Sequence, residues 1–135
     1  MDARELLSGS PYVVRHGFEV LESEDGRAVV ATTVQEHDTN SRGIAHGGVV
    51  AALADTAGGA AIARQPSVRG APVATVSMTL NYNLPARVGD RLTATGTRTN
   101  RGRRVVTCEV SVTNQDDELV ASALMTLATT GKPTS

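Results

Sequence analysis

The chain has 135 residues, with 13 basic and 14 acidic side chains and a formal net charge of −1. That balance leaves no basic face to neutralise phosphates, and three aromatics (Tyr12, Phe18 and Tyr82) make a poor stacking platform, so nucleic acid is excluded as a partner. The length fits one domain over 1–135, its lone Cys108 allows neither an internal disulfide nor a thiolate zinc cluster, and its ring-poor core would gain from a second copy.

The stretch "MDARELLSGS" predicts a short helix over Asp2–Leu7, ended by Ser8–Pro11, within an N-terminal segment of about 1–15. It carries two acids and no apolar h-region, so a cytoplasmic protein is expected. Two strands follow, "EVLES" and "RAVVATTV", joined by Asp25-Gly26, the dipeptide of a tight hairpin. Thr39–Ala45 is polar and turn-like. From His46 the run "HGGVVAALADTAGGAAIARQP" predicts a helix stopped by Pro66. Its apolar residues lie all round, which predicts burial on most sides. The part from Gly47 to Ala63 is too short and too poor in Leu and Ile to span a membrane around Asp55, whose insertion costs about 2.5–3.5 kcal/mol.

After "PSVRGAP" the period changes to two. Val76, Met78, Leu80 and Tyr82 alternate with Thr75, Ser77, Thr79 and Asn81. "DRLTATGTRT" follows a turn through Pro85 and Gly89. Val106, Cys108, Val110 and Val112 alternate with polar residues in the next segment. "ELVASALMTLAT" closes the series before a tail over 131–135. Four alternating strands joined by turns predict an antiparallel meander. One sheet with an apolar face needs a cover, and the helix supplies it. The expected fold class is therefore α+β, an antiparallel sheet wrapped around one long helix.

Asp55 is the residue that burial alone does not explain. It is the one charged side chain between Arg42 and Arg64, and no basic residue stands three or four positions away to pair with it. A carboxylate in an apolar helix is costly unless paired or used, and burial there would raise its pKa. Gly47 and Gly48 stand where the first helical N–H groups lack partners and the helix dipole is positive. They either make a tight turn or let a ligand reach the backbone. Cys108 has the parity of a core residue. No G-x-S-x-G, G-x-G-x-x-G or P-loop is present, and His16, His37 and His46 match no usual metal-ligand spacing, so no metal is expected. His37 reads as a surface residue.

Asn40, Gly43, His46-Gly47-Gly48 and Leu53-Ala54-Asp55 with Ala57, followed by "VSMTLNYNLPARVGD" and "NRGRRVVTCEVSVTNQDDELVASALMTLAT", resemble the hotdog-fold acyl-CoA thioesterases of the PaaI-like (4-hydroxybenzoyl-CoA thioesterase-like) family. The resemblance covers about Arg27 to Thr130. It implies hydrolysis of an acyl- or aryl-acyl-CoA to free acid and coenzyme A, without a cofactor beyond the substrate's own coenzyme A. By the same resemblance the Gly47 N–H binds the thioester carbonyl, and Asp55 is nucleophile or general base. Asn40 holds the lytic water or leaving group, His46 supports the turn, and Thr75 joins the site from the central strand. Gly48 would assist substrate binding. Arg101 and Arg103, in "NRGRR", read either as a solvated turn or as a clamp for the phosphates of coenzyme A.

Helix arithmetic adds a constraint. From His46 to Asp55 is nine residues, about 13–14 Å along the axis and half a turn around it. The two ends of the motif cannot meet on one small substrate within one chain. The expectation is a homodimer with sites at its interface, Asp55 buried in its own chain and facing the partner's helix start, and dimers pairing into a tetramer. The alternatives are a non-catalytic acyl-CoA-binding module and a hotdog enoyl-CoA hydratase or dehydratase with His46 as base.

Overall fold

The computed structural model describes residues 3–66, 68, 71–100 and 102–129. Helix α1 (Ala3–Ser8) corresponds to the expected N-terminal helix. A second helix, α2 (Pro11–Arg15), was not expected, because Pro11 begins a helix rather than ending one. Proline at the start of a helix gives up only an N–H that would lack a partner, and the Ser10 hydroxyl caps the turn by accepting from the Val13 N–H at 3.4 Å. Strands β1 (Glu19–Glu24) and β2 (Arg27–Thr33) pair antiparallel around Asp25-Gly26, with Gly26 at φ 89°, as the hairpin dipeptide requires. A 3₁₀ turn over Glu36–Asp38 and a loop bridged between Thr39 and Ala45 lead into helix α3 (Gly47–Ile62).

Strands β3 (Val73–Tyr82), β4 (Arg91–Arg98), β5 (Val105–Thr113) and β6 (Leu119–Thr129) complete a six-stranded antiparallel sheet. Its order is β1-β2-β4-β5-β6-β3, which corrects the expected four-strand meander. Only β4, β5 and β6 form a meander; β3 pairs with β6 at the far edge. The connection over 83–90 explains the difference. It is too long for a tight hairpin, and it is pinned under the start of α3 by Ala45 N–H to Ala86 C=O (2.7 Å) and by an Ile44–Arg87 bridge. The chain thereby crosses to the other side of the helix, where β4 pairs with β2.

Helix α3 lies against β2, β4 and β5. Val50, Leu53, Ala54, Ala57 and Ala61 are buried there, and each large side chain so buried contributes about 1.5–3 kcal/mol. The close approach needs Gly96 on β4, since a Cβ there would lie 2.5 Å from the Ala57 carbonyl oxygen. Val106, Cys108, Val110 and Val112 all face this core, as their alternation predicts. The expectation that α3 is covered on most sides needs correction. A stripe through Gly48, Ala52, Asp55, Thr56 and Gly59 is exposed or half-buried. No helix among the described residues is long and apolar enough to cross a membrane.

Strand β3 departs from its sequence parity. Its register against β6 shifts between Thr75 and Ser77, leaving Val76 as the extra residue of a bulge. The bulge brings Thr75 to the helix side together with Tyr82, whereas strict alternation places them on opposite faces. As an edge strand of 10 residues, β3 also leaves apolar surface open, with Val76 64% and Tyr82 55% exposed.

Candidate active site

The residues singled out in the sequence fall mainly into two groups, one around the start of α3 and one about two turns further along it. The first is the helix start. His46 is the N-cap, and its Nδ1 accepts from the Gly48 N–H at 2.8 Å. That bond has two consequences. It makes Nδ1 an acceptor, so in the neutral ring Nε2 carries the hydrogen. It also occupies the Gly48 N–H, leaving the Gly47 N–H as the donor with no intrahelical acceptor, at the positive end of the helix dipole. A Cβ on Gly48 would come 2.8 Å from His46 Nδ1, so this glycine is needed for the cap itself.

Asn40 closes the loop before the helix. Its Oδ1 accepts from the Arg42 N–H (2.9 Å) and the Ile44 N–H (3.4 Å), and its own N–H donates to the Ile44 carbonyl (2.8 Å). With its oxygen engaged, the side chain has only its NH₂ to offer a ligand. Asn40, Gly47, Gly48 and Tyr82 line one concavity of about 500 Å³, closed below by Leu84 and Pro85. Tyr82 was not singled out in the sequence. Its hydroxyl donates to the Gly47 carbonyl at 2.7 Å and so holds the first turn from the edge strand. An aromatic residue in a chain with only three was the available signal.

The second group is Asp55 with Thr75. Asp55 is exposed, not buried as its apolar neighbours suggested, because it lies on the open stripe of α3. The Thr75 hydroxyl donates to Asp55 Oδ1 at 2.6 Å. This bond replaces the missing basic partner and holds one carboxylate oxygen, leaving Oδ2 directed elsewhere. Both residues line a different concavity, of about 700 Å³, whose walls include Tyr12 and Val13 of α2, Gly59 and Val73. Gly47 lines the first of these concavities and not the second, and Asp55 the second and not the first.

Arg103 is exposed in the β4–β5 turn. The Gln65 amide donates to the Gly102 carbonyl (3.0 Å), which holds that turn beside the C-terminal end of α3, roughly 24 Å along the axis from the helix start. Arg101 lies outside the described residues. Cys108 is buried, and burial pushes its thiol up to about 11 against a smaller opposing effect of the Arg98 charge. It stays a thiol at neutral pH and is no nucleophile. Iodoacetamide should label Cys108 in denaturant and leave it unmodified in the folded protein, which mass spectrometry checks; equal labelling in both states would contradict a sealed core.

Comparison with known proteins agrees with this architecture. The sequence profile of the thioesterase superfamily matches residues 42–121. The acyl-coenzyme A thioesterase PaaI of Escherichia coli is 30% identical over 78% of this chain and 72% of its own length. A solved structure of the E. coli PaaI protein superposes with a TM-score of 0.89 at 25% identity, covering 99% of this chain and 94% of that one. Mouse acyl-coenzyme A thioesterase 13 is 33% identical over 61% of this chain, which spans 57% of that protein. A hypothetical thioesterase from Streptococcus pneumoniae, solved with coenzyme A, has a TM-score of 0.79 at 30% identity over 87% of this chain and 88% of its own. The helix bearing His46 and Asp55, and the sheet around it, thus have their counterparts in hotdog proteins, and the chain belongs to the thioesterase superfamily.

Proposed function

We propose that this protein hydrolyses acyl- or aryl-acyl-CoA thioesters, at sites each assembled from two copies of the chain. The family and its acyl-CoA thioesterase relatives support the reaction, and the coenzyme A on the S. pneumoniae relative supports the leaving group. The carrying observation is that Gly47 and Asp55, about 12 Å apart along the axis of α3, line two different concavities. A site that uses both takes Asn40, His46 and Gly47 from one chain and Asp55 and Thr75 from its partner. The surfaces such a dimer would cover are open here: the small-residue stripe of α3 and the edge of β3 with Val76 and Tyr82. Leu124 and Val105, on the outer face of the sheet, are 61% and 51% exposed and suit a further pairing of dimers.

In this site the thioester carbonyl points at the Gly47 N–H. Attack turns its oxygen into an oxyanion, and losing one such donor typically costs about 2.7–4 kcal/mol of barrier. Asp55, held through Oδ1 by Thr75, uses Oδ2 either to take a proton from the attacking water or to attack directly, in which case water then hydrolyses the acyl–Asp55 anhydride to free acid and restores the carboxylate. The C–S bond breaks and coenzyme A leaves as a thiolate that takes up a proton. Asn40 presents its NH₂ to the substrate, since its carbonyl oxygen is committed to the loop.

His46 weighs against the hydratase alternative. Its Nδ1 is engaged by Gly48, and in the neutral ring its Nε2 holds a hydrogen, so neither nitrogen serves as a base without undoing the helix cap. Free thiol should appear when the purified protein meets acyl-CoA, monitored with a thiol reagent across short-chain, medium-chain and aryl-acyl esters. Tight binding of every ester without thiol release would instead favour a non-catalytic binding module.

A further inference from the structure

His16 stands 21 and 22 residues before His37 and Asp38, yet the three form the one group of metal-ligating side chains found among the described residues. His16 follows α2, and His37 and Asp38 belong to the 3₁₀ turn. His16 Nδ1 lies 3.9 Å from Asp38 Oδ1, and His37 Nε2 lies 3.6 Å from the same oxygen. All three ligand atoms fall within 4.8 Å of one another. The two distances to Asp38 Oδ1 are too long for hydrogen bonds and slightly wider than the roughly 3.4 Å between ligands held about 2.1 Å from a tetrahedral ion.

Three further observations suit a ligand set. His16 Nδ1 is buried and has no hydrogen-bond partner, an unmet demand that a cation would satisfy. The Asp38 side chain is only 3% exposed, and its Oδ2 accepts from the Gln35 N–H at 2.9 Å, so that Oδ1 is the oxygen turned to both imidazoles. A backbone N–H on the other oxygen is what orients a metal-binding carboxylate. The His16 ring is itself held, stacked on Tyr12 with centroids 4.3 Å apart. His37, 62% exposed, has room to close the remaining gap and leaves a fourth position open to water.

We propose that His16, His37 and Asp38 form a site for a zinc-class divalent cation. Two imidazoles and one carboxylate favour zinc, cobalt or nickel over magnesium and calcium, which prefer all-oxygen shells. The ion would tie α2 to the turn that leads into the helix start. Tyr12 and Val13 of α2 wall the Asp55 concavity, while the Asp38 carbonyl accepts the His46 N–H at 2.7 Å. One cation would therefore hold both halves of the chain's contribution to catalysis without touching the thioester. Its occupancy is a matter of binding and stability, separate from whether the proposed hydrolysis occurs.

The test titrates tag-free, chelator-treated protein with Zn²⁺ by calorimetry and with Co²⁺ by visible absorption. The expected result is one ion per chain, the intense visible bands of tetrahedral cobalt, and a higher Tm with Zn²⁺. His37→Ala, at an exposed position, should fold with an unchanged metal-free Tm and lose more than the about 10–100-fold in affinity that outer-shell partners cost. Asp38→Asn, which keeps an oxygen for the Gln35 N–H, is a second variant and should weaken binding similarly. Absence of a saturable site in the parent protein overturns the proposal. So does parent-like Zn²⁺ affinity in both variants.

Discussion

Asp55→Asn should lower kcat by at least about 10²-fold in a protein that folds as the parent does, because a positioned proton-transfer group contributes about 10²–10⁴-fold. The substitution keeps the shape of the side chain and an oxygen to accept from the Thr75 hydroxyl. It removes only the charge and basicity of the group. Folding should be indifferent, since Asp55 is exposed in its own chain and no ion pair depends on it among the described residues. The loss should appear in kcat and kcat/KM together, with KM little changed, which marks a group that acts in the transition state. Steady-state kinetics on one acyl-CoA, beside a thermal melt, check this. A folded variant with near-parent kcat would make Asp55 a surface acid that merely anchors the edge strand through Thr75.

Mixing two inactive variants should restore activity. Asp55→Ala and Asn40→Ala each damage every site alone. If a site takes Asn40 from one subunit and Asp55 from the other, a mixed dimer holds one doubly damaged site and one intact site. Random exchange makes half the dimers mixed, so recovery should reach about a quarter of the parent rate for independent sites in a two-fold dimer. The controls are near-zero activity of each variant alone and demonstrated subunit exchange, for instance by mass-tagged chains. Flat activity after proven exchange would return both residues to a single chain and break the assembled-site reading. The geometry makes that outcome hard to accommodate, since Gly47 and Asp55 line separate concavities and lie about 12 Å apart along one helix.

Much of the candidate site was legible because its parts lie close in sequence. Asn40, His46, Gly47 and Asp55 fall within 16 consecutive residues, and helix geometry alone separates their two ends. Thr75 entered only through resemblance, since the alternation of its strand puts it on the face away from Met78, Leu80 and Tyr82. Tyr82 passed as one more alternating residue, and its bond to Gly47 spans 35 positions. The burial expected of Asp55 was wrong for a related reason. Hydropathy averages the whole helix surface and cannot tell which stripe the sheet leaves uncovered.

The sequence by itself determined the local elements: the Asp25-Gly26 hairpin, the small-residue helix that begins after His46, and the inward set Val106, Cys108, Val110 and Val112. Each follows from turn chemistry, capping or a two-residue period, and those act between neighbours along the chain. Only the tertiary structure decided what depends on pairing between distant segments. The crossing of 83–90 under the start of α3 sent β3 to the far edge beside β6. There the bulge at Val76 turned Thr75 onto Asp55. The packing of α2 against the 3₁₀ turn brought His16 to His37 and Asp38, whose sequence spacing carries no metal pattern. Register, strand order and side-chain convergence are settled by which surfaces can be buried together, and a single strand or helix holds only half of that information.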